Sequence, residues 1–295
     1  MKYLAILTAV LLCLAACTKD IVIPELPYDG KTSIQCLITP GELPTVYTYQ
    51  AVRYFDPKIT PRQLFLPKAS VHMTGAGDTI AFTIDSVTDV RTCEQLFFWK
   101  GDKPIRPDAT YTLTVTNGEQ VFSAQATTNQ SLVQLDSVKY VSKFTDVFGG
   151  HEGIVLFFRD RPGAENFYRF QLNGFIQDTV IDQEGGFGAC SIGQTNRVHE
   201  LGRTIYTDQN LDGEPFSFVT EPTFQHKKGQ EAYVRLQSVD KNIYTFYDNL
   251  DHTKIAQYNP FVEPVFLQIG QFGEKGVGVF GAYAVSDSVR FVYPE

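Results

Sequence analysis

Asp208-Gln209-Asn210-Leu211-Asp212-Gly213 sets oxygen-bearing side chains at alternate positions ahead of a glycine. That spacing matches the first half of a calcium loop, where Asp and Asn oxygens ligate the ion and glycine makes the sharp turn. The second half is absent: the twelfth position, where a bidentate Glu belongs, is Val219. Asp-Gly is also a common hairpin turn, so the segment reads first as an acidic turn, and no metal ligand set is assigned. The histidines His72, His151, His199, His226 and His252 are scattered, and no pair has metal spacing. His151-Glu152 follows Gly149-Gly150 and reads as an exposed polar loop. Neither a His-Glu-x-x-His helix nor a Gly-x-Ser-x-Gly elbow occurs. No catalytic or cofactor-binding residue is assigned; a hydrolase would have to assemble its site from distant positions.

The cysteines carry a more specific signal. Lys2 precedes an uncharged, mostly apolar run from Leu4 to Ala16, which ends in Leu14-Ala15-Ala16-Cys17. The run is too short to span a bilayer and suits a signal peptide. Its end resembles the bacterial lipobox. We therefore expect residues 1–16 to be a cleaved signal and Cys17 to be the lipid attachment site, anchoring the chain in a membrane. Thr18-Lys19-Asp20 resembles the export signal of surface lipoproteins in the Bacteroidota. Residues 17–27, with Pro24 and Pro27, read as a tether. Cys13 leaves with the signal, so Cys36, Cys93 and Cys190 remain. An odd number cannot all pair within one chain. Cys36 and Cys93 fall in the same expected domain and can bridge; the alternative is that all three are small buried core residues. No Cys-x-x-Cys exists to hold zinc.

The formal charge is −8, and losing Lys2 with the signal makes it −9. Such a chain lacks the clustered cations that neutralise phosphates, so nucleic acid is not an expected partner. Asp-Ser/Thr followed by an aliphatic residue occurs at Asp78, Asp85, Asp136, Asp178 and Asp287. This resembles the O-glycosylation signal of Bacteroidota envelope proteins, although the same triplet also simply begins strands. Phe97-Phe98-Trp99 is the densest aromatic cluster and reads as core before it reads as a binding platform.

The elements that must hold these residues are strands. There are 23 Phe and 15 Tyr, an enrichment that favours sheet. Tyr111–Thr116 alternates apolar residues with Thr; Asn117-Gly118 follows, and then Val121–Ala126, a strong hairpin pattern. Ser33–Thr39, Thr45–Phe55, Ala69–Thr74 and Thr79–Ile84 complete the first set. The expected class is all-β: an N-terminal immunoglobulin-like β-sandwich over residues 28–130, then a larger antiparallel β domain over 131–295 with one helix. In the second domain, strands are expected at 137–142, 153–159, 167–175, 203–207, 215–219, 232–239, 277–283 and 288–292. Gly185 to Gly193 reads as a flexible loop. Asp240 can cap the single helix, whose stripe is Ile243, Phe246, Tyr247 and Leu250. Pro260 and Pro264 enforce an extended turn after it, and Gly276, Gly278 and Gly281 permit close backbone approach in a last hairpin.

Four segments occur in a recognisable order: Tyr206–Phe216, Ala232–Asp240, Asn259–Val265 and Gly276–Ala282. With the lipobox and the N-terminal sandwich, this order resembles the family called domain of unknown function 4249, envelope lipoproteins of the Bacteroidota. The stretch Gln271–Lys275 is poorer in Asn and Gly than the family's usual wording. The family has no established catalytic or binding residues to carry over. The resemblance implies a cell-envelope location and association with a TonB-dependent outer-membrane barrel; the expected location is the outer membrane, with the body surface-exposed as the first reading and facing the periplasm as the other. The leading expectation is a non-enzymatic accessory or ligand-binding lipoprotein, with a small molecule, peptide or glycan as cargo. A structural or adhesive surface protein is the second reading, and a hydrolase with a non-local site the third.

Overall fold

The computed structural model describes residues 30–52, 60–90, 92–146, 149–177, 190, 193–202, 205–222, 228–258 and 270–294. The signal, Cys17, the tether, His226, the Asp178 triplet, Pro260 and Pro264 lie outside them, as does nearly all of the Gly185–Gly193 loop. The chain is all-β, as expected, with large antiparallel sheets.

The first strands are β1 (Thr32–Ile38), β2 (Thr45–Gln50), β3 (Ser70–Gly75), β4 (Asp78–Thr88), β5 (Gln95–Gly101), β6 (Thr110–Asn117) and β7 (Gln120–Thr127). A short helix, α1 (Pro61–Leu64), sits between β2 and β3. The β6–β7 hairpin forms where Asn-Gly predicted it. Asn117 pairs with Gln120, and Gly118 takes φ +60°, a conformation that glycine adopts without Cβ strain. Alternation then buries Tyr111, Leu113 and Val115 from β6 and Phe122, Ala124 and Ala126 from β7. β4 is shared: Asp78–Ala81 pairs with β3 and Phe82–Thr88 with β5. The inward residues of β1, β2 and β5 (Ile34, Cys36, Val46, Trp99) thus meet those of β3, β6 and β7 in one core. Trp99 belongs to this core, beside Phe65 and with its indole N–H donating to Thr48 at 2.9 Å, and Phe97 packs against it, so the aromatic cluster is structural at these two residues.

The second group comprises β8 (Leu135–Asp146), β9 (Gly149–Arg159), β10 (Phe167–Gln177), β11 (Thr195–Leu201), β12 (Tyr206–Thr207), β13 (Pro215–Thr220), β14 (Glu231–Val239), β15 (Gly276–Val285) and β16 (Val289–Val292). The helix α2 (Lys241–Tyr258) lies between β14 and β15. β13, β9 and β8 form a separate three-stranded sheet that packs over β10, β11, β14 and β16. Phe158, Tyr168, Phe216 and Phe218 interlock there at ring separations of 4.7 to 6.3 Å. Full burial of one such side chain stabilises the fold by about 1.5–3 kcal/mol.

The main sheet does not stop near residue 130. Its order is β11-β10-β14-β15-β1-β2-β5-β4-β3-β6-β7, and β15 lies parallel to β1 from Thr32↔Gly276 to Ile38↔Ala282. Phe280 and Ala282 of β15 therefore complete the first core. The expected closing hairpin does not form: β15 and β16 both pair with β14. Gly278 and Gly281 serve other approaches. A Cβ on Gly278 would lie 1.8 Å from the Ile34 carbonyl oxygen, and one on Gly281 would meet Ile243 and Asp240.

The cysteines are also arranged differently from the Cys36–Cys93 bridge considered above. Cys93 pairs with Cys190, with Cα atoms 5.7 Å apart, while Cys36 is a free thiol facing inward from β1. Burial pushes that thiol's pKa up. Cys93 sits in the turn after β4, out of reach of the core where Cys36 lies.

Candidate ligand-binding cleft

One face of β10, β11 and β14 builds the second core; the other is polar. β10 turns Tyr168, Phe170 and Leu172 into the core and leaves Arg169, Gln171 and Asn173 on the opposite side. β14 does the same with Val234 and Leu236 against Tyr233, Arg235 and Gln237. Antiparallel register puts these residues in rows. Asn173 lies between His199 and Tyr233, and Gln171 between Leu201 and Arg235; Arg169 is opposite Gln237, and Phe175 opposite Arg197.

Because β15 joins β14 to β1, the long sheet brings β1 and β2 round to face these rows. Gln35, Leu37, Thr45 and Tyr47 form the facing wall, and Tyr283 and Val285 of β15 connect the two sides. The open cleft between them measures about 780 Å³. That is within the range of roughly 300–1,000 Å³ usual for small-molecule sites.

The helix α2 packs against the same face of the sheet. Asp240 caps it, as expected, accepting from Ile243 N–H at 2.9 Å, and its second oxygen accepts from Ala282 N–H of β15 at 2.7 Å. Desolvation raises the Asp240 carboxyl to about 6 despite these bonds. Ile243 is fully buried, and Phe246 and Tyr247 pack beside it. Phe167 stacks on Tyr244 at 4.3 Å. The Arg169 guanidinium lies over the Tyr247 ring at 4.2 Å, and Gln35 donates to the Tyr247 hydroxyl at 3.0 Å.

The cleft floor holds polar groups that sheets rarely bury. Gln237 and Gln171, 3 % and 6 % exposed, are joined by a hydrogen bond of 3.1 Å, Gln237 Nε2 donating to Gln171 Oε1. Arg169, 5 % exposed, donates from Nε to the Gly202 carbonyl, while its Nη1 has no hydrogen-bond partner. Arg235 Nε is also buried without a hydrogen-bond partner. His199 Nδ1 lies 2.7 Å from Asn173 Oδ1, an acceptor, so Nδ1 carries the proton and Nε2 remains an acceptor. Desolvation, with the charges of Arg197, Arg169 and Arg235, holds this imidazole below its ordinary range. Burial raises the Tyr47 and Tyr283 phenols, which keeps both neutral. Among the described residues lining the cleft, Glu42 is the only carboxylate. Phe175 and Tyr233 stay 61 % and 42 % exposed.

The residues singled out by motif lie elsewhere. Asp208 and Asp212 do converge, and Asp160, from the end of β9, joins them with carboxylate oxygens all within 4.8 Å. Asn210, between them, takes φ +70° in the turn. The bonds within the loop are specific. Asp160 accepts from the Tyr168 hydroxyl and from Gly213 N–H at 2.8 Å, Asp208 from Asn166 at 3.2 Å, and Asp212 from Gly163 N–H at 2.7 Å. His151-Glu152 is not a loop: both residues lie in β9, with His151 3.3 Å from Glu221 and Glu152 accepting from Tyr140. Of the described Asp-Ser/Thr triplets, Asp78 begins β4, Asp136 is near the start of β8, and Asp287-Ser288 directly precedes β16. Ser288 reaches the cleft edge.

His199, Arg197 and Arg235 were missed as site residues. The available signal was the alternation Arg169-x-Gln171-x-Asn173 and Tyr233-x-Arg235-x-Gln237. It marks a polar sheet face, but does not say that another wall covers it. No curated protein matches the chain. The sequence profile described as Domain of unknown function (DUF4249) matches residues 19–288. That span takes in every strand of the cleft, and the chain belongs to the DUF4249 family.

Proposed function

We propose that this protein is a non-enzymatic, ligand-binding lipoprotein of the outer membrane, exposed at the cell surface and working as an accessory to a TonB-dependent transporter. The cleft carries the binding part of this reading. Its volume suits a small polar ligand, and Arg235 on its wall and Arg169 beneath it each keep a buried guanidinium nitrogen without a hydrogen-bond partner. A fold gains nothing from leaving such groups under-bonded, whereas a ligand that completes them is held specifically. The Cys93–Cys190 disulfide fits an oxidising compartment outside the cytoplasm. The apolar run ending at Cys17 supports the anchor, and family membership supports the envelope.

The test is a mild-detergent pull-down of the tagged, Cys17-lipidated protein from its own envelope, with companions identified by mass spectrometry. A TonB-dependent barrel in near-equal amount is the expected result. Recovery of the lipoprotein alone, with its lipid verified, refutes the partnership and moves the weight to an adhesive role, read by attachment of a deletion strain.

A further inference from the structure

We infer that the cleft between β10–β11–β14 and β1–β2 binds an acidic saccharide, its carboxylates taken by Arg235 and Arg197 and its hydroxyls by the amide and imidazole row between them. The inference rests on the cleft being a ligand site and names the class of ligand.

Charge comes first. The chain is acidic at −8, yet Arg197 and Arg235 line this cleft, Arg169 lies beneath it, and Glu42 is the only opposing carboxylate among the described lining residues. Arg235 keeps a buried Nε without a hydrogen-bond partner. A guanidinium offers its donors in a planar fork that matches a carboxylate.

The remaining groups decide against a plain inorganic anion. A fully ionised oxyanion such as sulfate only accepts and favours clustered N–H donors, as at a helix N-terminus. In α2 those donors are occupied by Asp240. The groups around the two arginines instead pair donor with acceptor. Asn173, Gln171, Gln237 and Gln35 each carry both functions, and neutral His199 presents an acceptor at Nε2. Sugar hydroxyls also donate and accept, so each can be matched by such a row. The aromatics supply the third element. Tyr233 and Phe175 remain exposed on the cleft side of the sheet, where a ring can lie against the apolar face of a pyranose. Arg197 lies to one side of the His199–Asn173–Tyr233 row and Arg235 to the other, so the acidic groups of a short oligomer can be engaged at both ends.

The experiment compares two probes on the folded, signal-less protein. One is a mixture of oligosaccharides from polygalacturonate, alginate and hyaluronate. The other is the same mixture after reduction of every carboxyl to an alcohol. Binding is read by titration calorimetry and by mass spectrometry of the retained sugars. The acidic mixture should bind, and the reduced mixture at least tenfold more weakly. Arg235→Met should lose the acidic preference. Arg197→Met, at an exposed position that tolerates change, should weaken acidic binding while leaving the melting temperature unmoved. Equal affinity for both mixtures, or unaltered preference in both variants, overturns the carboxylate assignment and leaves a neutral-glycan cleft. Binding of neither mixture overturns the saccharide class, and the barrel pull-down then judges the wider reading independently.

Discussion

Asp240 joins the helix α2 to β15 and so holds one end of the cleft in place. An ordinary aspartate carboxyl titrates near 3.8, and desolvation raises this one to about 6. Below the lower value both folded and unfolded chains hold the proton, and the favourable contribution is complete. As pH rises toward the upper value, the unfolded chain loses the proton first and the native state's advantage shrinks. Above the folded pKa it is gone. At about 1.4 kcal/mol per pKa unit, the full contribution is about 3 kcal/mol, and about 2 kcal/mol of it appears between pH 7.5 and pH 4.5.

Other carboxylates contribute with the opposite sign and at lower pH where partners lower them, as Ser86 N–H and Lys100 do for Asp85 and Arg290 does for Glu231. The difference between wild type and Asp240→Asn removes them, since they titrate in both proteins. Asparagine keeps one acceptor for Ile243 N–H or Ala282 N–H but cannot serve both, so the variant should be less stable at every pH. The decisive quantity is how that gap changes. Urea unfolding followed by tyrosine fluorescence should show the gap widening by about 2 kcal/mol from pH 7.5 to pH 4.5. A gap that stays constant, or narrows on acidification, would mean that the carboxylate is not held in a desolvated pocket and that the helix is docked by other means.

Gly278→Ala should cost more than about 3 kcal/mol or prevent folding, because φ is +136° and the new methyl would meet the Ile34 carbonyl; a urea midpoint equal to wild type contradicts the parallel β1–β15 contact. Replacing Cys93 and Cys190 together by alanine opens a link across 97 residues and should cost about 4–5 kcal/mol by chain entropy, visible as a lowered melting temperature, whereas reductant should have no effect on that variant. Asp160→Ala leaves the Tyr168 hydroxyl and Gly213 N–H without their acceptor and should destabilise by about 2–4 kcal/mol in urea, with no gain on adding chelator.

Local patterns were legible in this sequence where one segment decides them alone. The β6–β7 turn follows from Asn117-Gly118 and the alternation around it, and the capped helix follows from Asp240 and its apolar stripe. Long-range features were not. Nothing near Cys93 points to Cys190 in place of Cys36, because pairing depends on which turns the sheets bring together. Likewise, Asp160 is far in sequence from Asp208 and Asp212, so the motif showed two members of a three-carboxylate group.

The cleft was hidden for a related reason. Arg169, Gln171, Arg235 and Gln237 look like the solvent face of half-buried strands, which is the ordinary meaning of such alternation. They become a lined cavity only because β15 pairs with both β14 and β1, and so carries the first core's outer face opposite the second core's outer face. Three glycine contacts make that strand possible: Gly276 against Phe272 and Phe122, Gly278 against Ile34, and Gly281 against Ile243. In a family matched across residues 19–288, the glycine-rich segment then has a structural purpose with a functional consequence. Its residues 276–282 do not line the cleft, but the strand they form puts the two walls of the cleft face to face. A substitution there should abolish ligand binding only together with the fold, whereas substituting Arg235 or Arg197 should weaken acidic binding while the fold persists. That contrast separates residues that build the cleft from those that use it.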